Sequence, residues 1–309
     1  MQTRSLNLDG MFQPTIFPEI EFELLVFSGG ELHIKLNKRI DYDRVDKVII
    51  TQRANNSNSI MAILIAVDAL QRLGIKRFDL IMPYIPYARQ DRYDAYDNLG
   101  ESFTLDVFAN LINSVGFEKI HTLDAHSDVS KALIKNSCDR SNHQFAAHAI
   151  NDSRRIEKLT SVSTISYNSH TPIWLISPDS GANKKCNKLI TNLLQNNENI
   201  SPDLIKGLIK CDKKRDIATG QLSGFEVFSN DLLGFDAIIV DDLCDGGGTF
   251  NGLAQELKKK NAGDLYLLVS HGIFSQGFNM LLENFKHIYT TNSVKDINHP
   301  SVTQYKIEY

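Results

Sequence analysis

The sequence predicts an α/β fold in two domains, each a mainly parallel sheet flanked by helices, on three observations. Short β-branched runs alternate with segments of helical spacing along most of the chain, an order that places helices on the faces of parallel strands. The length, 309 residues, is enough for two cores of ordinary size. The two halves repeat the same order at similar length, which suggests a duplicated unit, although no repeat is visible by identity.

The elements follow in order. "VDKVIIT" (45–51) is a strand. "SNSIMAILIAVDALQRLG" (57–74) is a helix, with Ile60, Ile63, Leu64, Val67 and Leu70 on one face, a polar start and Gly74 as its stop. "FDLIMP" (78–83) is the next strand, "SFTLDVFANLINSVG" (102–116) the next helix, and "EKIHTLDAH" (118–126) a strand with its exit. In the second half strands are read at 172–177, 235–241, 264–270 and 286–291, and helices at 181–194, 248–260 and 275–284. The polar stretch 151–170 is the candidate inter-domain segment, and the boundary is set between 1–145 and 146–301.

Composition narrows the function. The 42% hydrophobic and 23% charged fractions are those of a soluble globular protein, and the net charge of -4 disfavours a nucleic-acid-coating role. Cys138, Cys186, Cys211 and Cys244 are widely spaced with no zinc pattern, and read as reduced thiols. No apolar run approaches the roughly 18 residues of a membrane span, and residues 1–13 lack a signal-peptide core. The expectation is a cytoplasmic protein without membrane or nucleic-acid partners.

In open α/β sheets, ligands bind beyond the carboxyl ends of the strands. Five polar exits occupy such places: "FSGGELH" (27–33), "PYIPYARQDR" (83–92), "LDAHSD" (123–128), "SPDSGANKK" (177–185) and "VDDLCDGGGTF" (240–250). In the last, glycines let backbone N–H groups turn towards a phosphate, Thr249 adds a hydroxyl and the following helix adds its positive end. Asp241 and Asp242 suit the two hydroxyls of a ribose, or a hydrated Mg²⁺. A Gly-rich turn with a capping aspartate is the bland alternative; the acid pair at a strand end favours a ligand.

This last stretch resembles the phosphoribosyl diphosphate motif of type I phosphoribosyltransferases and of ribose-phosphate diphosphokinases. The other exits separate the two. "YARQDR", "LDAHSD", "SPDSGANKK", "CDKKRD" (211–216) and "SHGIFS" (270–275) resemble, in order, motifs of the diphosphokinases. The transferases lack the N-terminal half of this set. The chain is therefore identified, by resemblance from residue 27 to about 293, as a divergent member of the diphosphokinase family.

That resemblance implies two tandem phosphoribosyltransferase-like domains, with residues 302–309 returning to the first. It implies transfer of a diphosphoryl group from ATP to the anomeric hydroxyl of ribose 5-phosphate, with Mg²⁺ as cofactor and ATP and a ribose phosphate as partners. His126 and Asp179 match the family's metal residues; a surface-turn histidine is the alternative for the first. Lys213 and Arg215, expected on a loop with Gly220 and Gly224, match the residues that stabilise the transferring group; a solvated basic face is the alternative. Arg89 and Gln90 would contact the nucleotide, unless Arg89 is in a surface pair with Asp91. Phe27 and Glu31 match a family loop that holds adenine from a neighbouring subunit, hence an expected homo-oligomer, dimer or hexamer, to complete the sites; an ordinary hairpin with Phe27 in the core is the alternative. The acceptor would lie on Asp241, Asp242, Asp245, Gly246, Gly247, Gly248 and Thr249.

Three departures qualify the resemblance. Gly29 stands where the family has aspartate, which leaves base selectivity open. Acidic residues with Gly100 and Glu101 follow "YARQDR" where the family is basic. Gly246 replaces a threonine of the phosphate loop, removing a hydrogen bond worth about 1.5–3 kcal/mol when made to a charged group. The wider loop also admits a ribose with a larger 5′-diphosphate substituent, such as ADP-ribose. A non-catalytic homologue within a synthetase assembly is the remaining reading; it would be expected to lose metal or loop residues, and His126, Asp179, Lys213 and Arg215 are all present.

Overall fold

The computed structural model describes residues 2–92, 100–160, 171–195, 201–215 and 222–309. The chain divides into two compact units: Met1–Ser141 with Ser293–Asp296 and Lys306–Tyr309, and Asn142–Asn292 with Ile297–Tyr305.

The first unit starts with β1 (Gln2–Asn7), a hairpin of β2 (Phe22–Val26) and β3 (Leu32–Leu36), and β4 (Val45–Thr51). Then come α1 (Ser57–Arg72), β5 (Phe78–Ile81), α2 (Thr104–Asn113), β6 (Lys119–Leu123), α3 (Asp128–Leu133) and β7 (Ser137–Arg140). The sheet order is β1-β4-β5-β6-β7, and every pairing in it is parallel. Helix α1 starts where Asn56 and Ser59 cap each other, Ser59 N–H donating to Asn56 Oδ1 at 2.9 Å and Asn56 N–H to Ser59 Oγ at 3.1 Å. Its buried face carries Ile60, Ile63, Val67 and Leu70 at helical spacing.

Two polar clusters hold this unit. Arg53, 5% exposed, donates from Nε to Asp9 at 2.6 Å and from Nη1 to Asp296 at 2.9 Å. Tyr309 N–H donates to Pro14 O at 2.8 Å, and Arg140 lies over the Tyr309 ring while donating to Glu308 O at 2.8 Å. On the surface, Glu118 accepts from Arg77 Nε at 2.7 Å and pairs with Lys47 at 3.0 Å. Arg77 first, then Lys47, holds the Glu118 carboxyl down to about 2. The native pKa lies below the unfolded value of about 4.3, so the stabilisation is present above that pH and is lost as pH falls through about 2. Wild type is expected to melt above Glu118→Gln at pH 6. The gap should close as pH is lowered to 2, and shrink with salt; thermal melts against pH would check this.

The second unit contains α4 (His143–Thr160), β8 (Ile173–Ser177), α5 (Asn183–Gln195), β9 (Ile205–Arg215), β10 (Leu222–Val227) and β11 (Ala237–Cys244). It continues with α6 (Gly248–Lys259), β12 (Leu265–Gly272), α7 (Asn279–Leu282), β13 (His287–Thr291) and β14 (Val302–Tyr305). The order is β10-β9-β8-β11-β12-β13-β14, parallel except for the β9–β10 hairpin. Strand order runs outwards in opposite directions from the β8–β11 pair, which makes the space beyond their carboxyl ends the switch point where ligands bind.

Four expectations change. Residues 151–160 complete α4 instead of linking domains, because Ala146, Ala147, Ala149 and Ile150 bury one face that nucleates the helix; residues 161–170 lie outside the described residues. The boundary set after residue 145 falls inside α4. The helix read at 275–284 shrinks to α7, since Gly277 takes φ +69° and closes a turn onto Phe274. Residues 302–309 divide: Val302–Tyr305 pairs with β13 in the second sheet, and Lys306–Tyr309 belongs to the first unit.

Candidate active site

Strand β11 brings its polar end to the switch point because Ile238 and Ile239, fully buried, and Val240, 3% exposed, fix the strand between β8 and β12. Asp242 is 5% exposed and its N–H donates to Asp241 Oδ1 at 2.9 Å. Burial, then the charge of Asp242 and more weakly that of Asp179, push the Asp241 carboxyl well above the usual range. A hydrogen-bonding or cationic ligand would relieve this crowding.

The loop after β11 is fastened from the segment after β12. Ile273 N–H donates to Cys244 O at 2.9 Å, Ser275 N–H to Asp245 O at 3.1 Å, and Ser275 Oγ to Asp245 Oδ1 at 2.7 Å. Gly247, with φ +83°, begins α6, and a Cβ there would stand 2.9 Å from Leu281 Cδ2. Only glycine fits both demands. At Gly248 a Cβ would meet nothing within 4 Å, so the start of α6 is open. Phe250, Leu253, Ala254 and Leu257 seat the other face of the helix in the core. A helix N-terminus aimed into a glycine loop suits an anion.

Asp179 follows β8, where its Oδ1 accepts from Ala182 N–H at 3.0 Å at the approach to α5. Its Oδ2 accepts from Lys213 Nζ at 2.6 Å. Lys213 and Arg215 lie on β9, not on a loop, because the buried Ile209 and Cys211 carry the strand outwards and Phe225 and Val227 on β10 pack beside them. The Arg215 side chain and Gly220 lie outside the described residues. Lys185, on the first turn of α5, places Nζ 3.8 Å from Asp242 Oδ1. Sequence pattern alone assigns Lys185 no role; its place in the first turn of the helix that follows Asp179 is the available signal.

The first unit carries the other candidates. Phe27 and Glu31 close the β2–β3 turn, with Phe27 N–H donating to Glu31 O at 2.9 Å. Phe27 is 54% exposed, so it is not a core residue. A Cβ at Gly29 would lie 3.2 Å from Glu31 Oε2, so an aspartate there would crowd a second carboxylate onto Glu31. Arg89 and Gln90 are exposed. Asp91 is 3.8 Å from Arg92. Residues 93–99, with most of the acidic departure, lie outside the described residues. His126 is exposed at the exit of β6. Among the described residues no three His, Cys, Asp or Glu side chains form a metal cage. Mg²⁺ held by one or two carboxylates, waters and substrate phosphates needs none, and Asp179 already holds a cation, the Lys213 ammonium, at 2.6 Å.

The chain as a whole is similar to known proteins. Residues 15–116 match the family model for the N-terminal domain of ribose phosphate pyrophosphokinase. A ribose-phosphate pyrophosphokinase of Mycoplasmopsis pulmonis is 27% identical over 283 residues, covering 91% of this chain and 78% of that protein. One from Shewanella oneidensis is 28% identical over 251 residues, covering 81% and 70%. The crystal structure of phosphoribosylpyrophosphate synthetase from Mycobacterium smegmatis superposes with a TM-score of 0.77 at 21% identity, over 99% of this chain and 95% of that one. That superposition shares the fold: two phosphoribosyltransferase-like units of mainly parallel sheet flanked by helices.

Proposed function

We propose that the chain is a divergent member of the ribose-phosphate pyrophosphokinase family, an ATP-dependent diphosphokinase acting on the anomeric hydroxyl of a ribose phosphate. The observation that carries this is the Asp241–Thr249 exit at the switch point of the second sheet, in the same unit as a 2.6 Å Lys213–Asp179 pair. The anomeric oxygen forms a bond to the β-phosphorus of ATP, the bond from that phosphorus to the AMP oxygen breaks, AMP leaves, and the hydroxyl proton is released.

Each residue has a part in that chemistry. Asp241 and Asp242 accept from the ribose hydroxyls, and the Gly246–Thr249 amides with the Thr249 hydroxyl hold the 5′-phosphate. Lys213 and Arg215 neutralise charge on the transferring group, and Arg89, Gln90, Phe27 and Glu31 bind the nucleotide. Lys185 neutralises Asp242. Mg²⁺, when bound, offsets phosphate charge. Asp179 and His126 are the candidate ligands; Asp179 is the better fit, since Mg²⁺ prefers oxygen.

The size of the acceptor turns on Gly246. A Cβ there would meet Gln276 Cγ at 3.5 Å and Ser275 Oγ at 3.8 Å, ordinary contacts. The backbone therefore does not require glycine, and its presence widens the loop. This favours a second reading, in which a ribose with a larger 5′-diphosphate substituent, such as ADP-ribose, is the acceptor. AMP release measured with ATP, Mg²⁺ and each acceptor tests both. Release with neither would overturn the diphosphokinase, and release with ribose 5-phosphate alone would overturn the larger acceptor. If the larger acceptor is used, Gly246→Thr should fold normally and cut its turnover at least about ten-fold relative to ribose 5-phosphate.

A further inference from the structure

We infer that Asp139, on the edge strand β7, is a positioning residue for His126, an inference that rests on the functional reading given above for that histidine. The exit of β6 reverses sharply. Asp124 adopts φ +44°, a left-handed backbone uncommon for residues with a side chain and taken by Asp and Asn more readily than by others. The turn is shut away from water, with Thr122 at 0%, Ala125 at 5% and Asp124 at 7% exposure. Such a backbone persists only when its surroundings fix it.

Strand β7 does the fixing. Thr122 pairs with Asp139 and Leu123 with Arg140 in parallel register. Asp124 N–H donates to Arg140 O at 2.8 Å. One oxygen of Asp139, Oδ1, accepts both the Thr122 hydroxyl at 2.8 Å and the Ala125 N–H at 3.1 Å. It thereby ties the last turn of the strand to the residue immediately before His126. Leu123 N–H donates to Pro83 O at 2.9 Å on the other side, so the reversal is held from β7 and from the segment that follows β5. From there the chain emerges to solvent at His126 and enters α3. Burial pushes the Asp139 carboxyl above its ordinary range, against the Thr122 and Ala125 hydrogen bonds. A residue that served packing alone would not need a carboxylate there.

The test compares Asp139→Ala with Asp139→Asn, which keeps an acceptor oxygen on the same carbon. Removing it should lower kcat for AMP release at least about ten-fold, because misplacing a reacting group by an ångström costs up to about a hundred-fold. KM for ATP should stay within about two-fold, and the asparagine variant should stay within about three-fold of wild type. On a His126→Ala background Asp139→Ala should cost less than about two-fold, since residues acting as a unit are not additive. Two readouts need no turnover: the Ala125 amide should exchange hydrogen at least about ten-fold faster in Asp139→Ala, and the His126 ring resonances should move, neither changing in Asp139→Asn.

A full loss persisting on the His126→Ala background, or unchanged exchange and ring resonances, would overturn the inference. If wild type releases no AMP with either acceptor, the functional reading fails. The exchange and resonance results then still decide whether Asp139 sets the histidine. Should Asp139→Ala not fold, Asp139→Glu, which moves the oxygen by one methylene, should show the same losses in the same measurements; their absence would overturn the inference.

Discussion

Lys213→Ala is expected to lower kcat for AMP release by about a thousand-fold, because a fixed cation facing a transferring phosphoryl group contributes about 10²–10³ or more in rate. Stability should barely change. The Lys213–Asp179 pair is partly exposed, at 28% and 23%, and such pairs contribute about 1 kcal/mol or less. The loss should therefore appear in kcat with the thermal midpoint almost unmoved. Lys213→Arg should recover part of the rate, since the charge returns on a differently shaped head group. A rate within about three-fold of wild type for Lys213→Ala would remove this residue from the mechanism.

Gly247→Ala should be the most damaging single methyl in the glycine loop before α6. Its backbone has φ +83° and the added carbon would stand 2.9 Å from Leu281 Cδ2. Left-handed strain contributes about 1–2 kcal/mol and overpacking about 1–3 kcal/mol. Chemical denaturation should report a loss of about 2–5 kcal/mol from the two together, and, on the proposed function, the acceptor KM should rise more than about ten-fold. Adding Leu281→Ala should return the overpacking part and leave the backbone part. A stability within about 0.5 kcal/mol of wild type would show that the loop relaxes freely.

Residue pattern made the site's central elements legible and left its edges obscure. Strand β11 and helix α6 stood out because a β-branched run led into three glycines and a threonine, and α1 because four apolar residues share a face. Strand β9 was hidden: "CDKKR" looks like a solvated loop, and only pairing with β10 makes it a strand. Strand β1 was missed since "QTRSLN" is polar to the eye, yet Ser5 and Leu6 are fully buried. Asp139 belongs to no motif, and its value comes from a register between two strands that a linear reading does not reveal.

The Arg53 clamp has a consequence for vectorial synthesis. Asp296 and Tyr309 reach the ribosome exit long after residues 2–141, so the first unit waits through the translation of most of the second before these partners exist. Until then a guanidinium destined for burial has Asp9 alone as its carboxylate partner and lacks Asp296. A fragment cut after residue 141 would carry that deficit permanently. The halves of this architecture are thus tandem in sequence but interleaved in time, since Ile297–Tyr305 of the second follows Asp296 of the first and precedes Lys306–Tyr309 of the first.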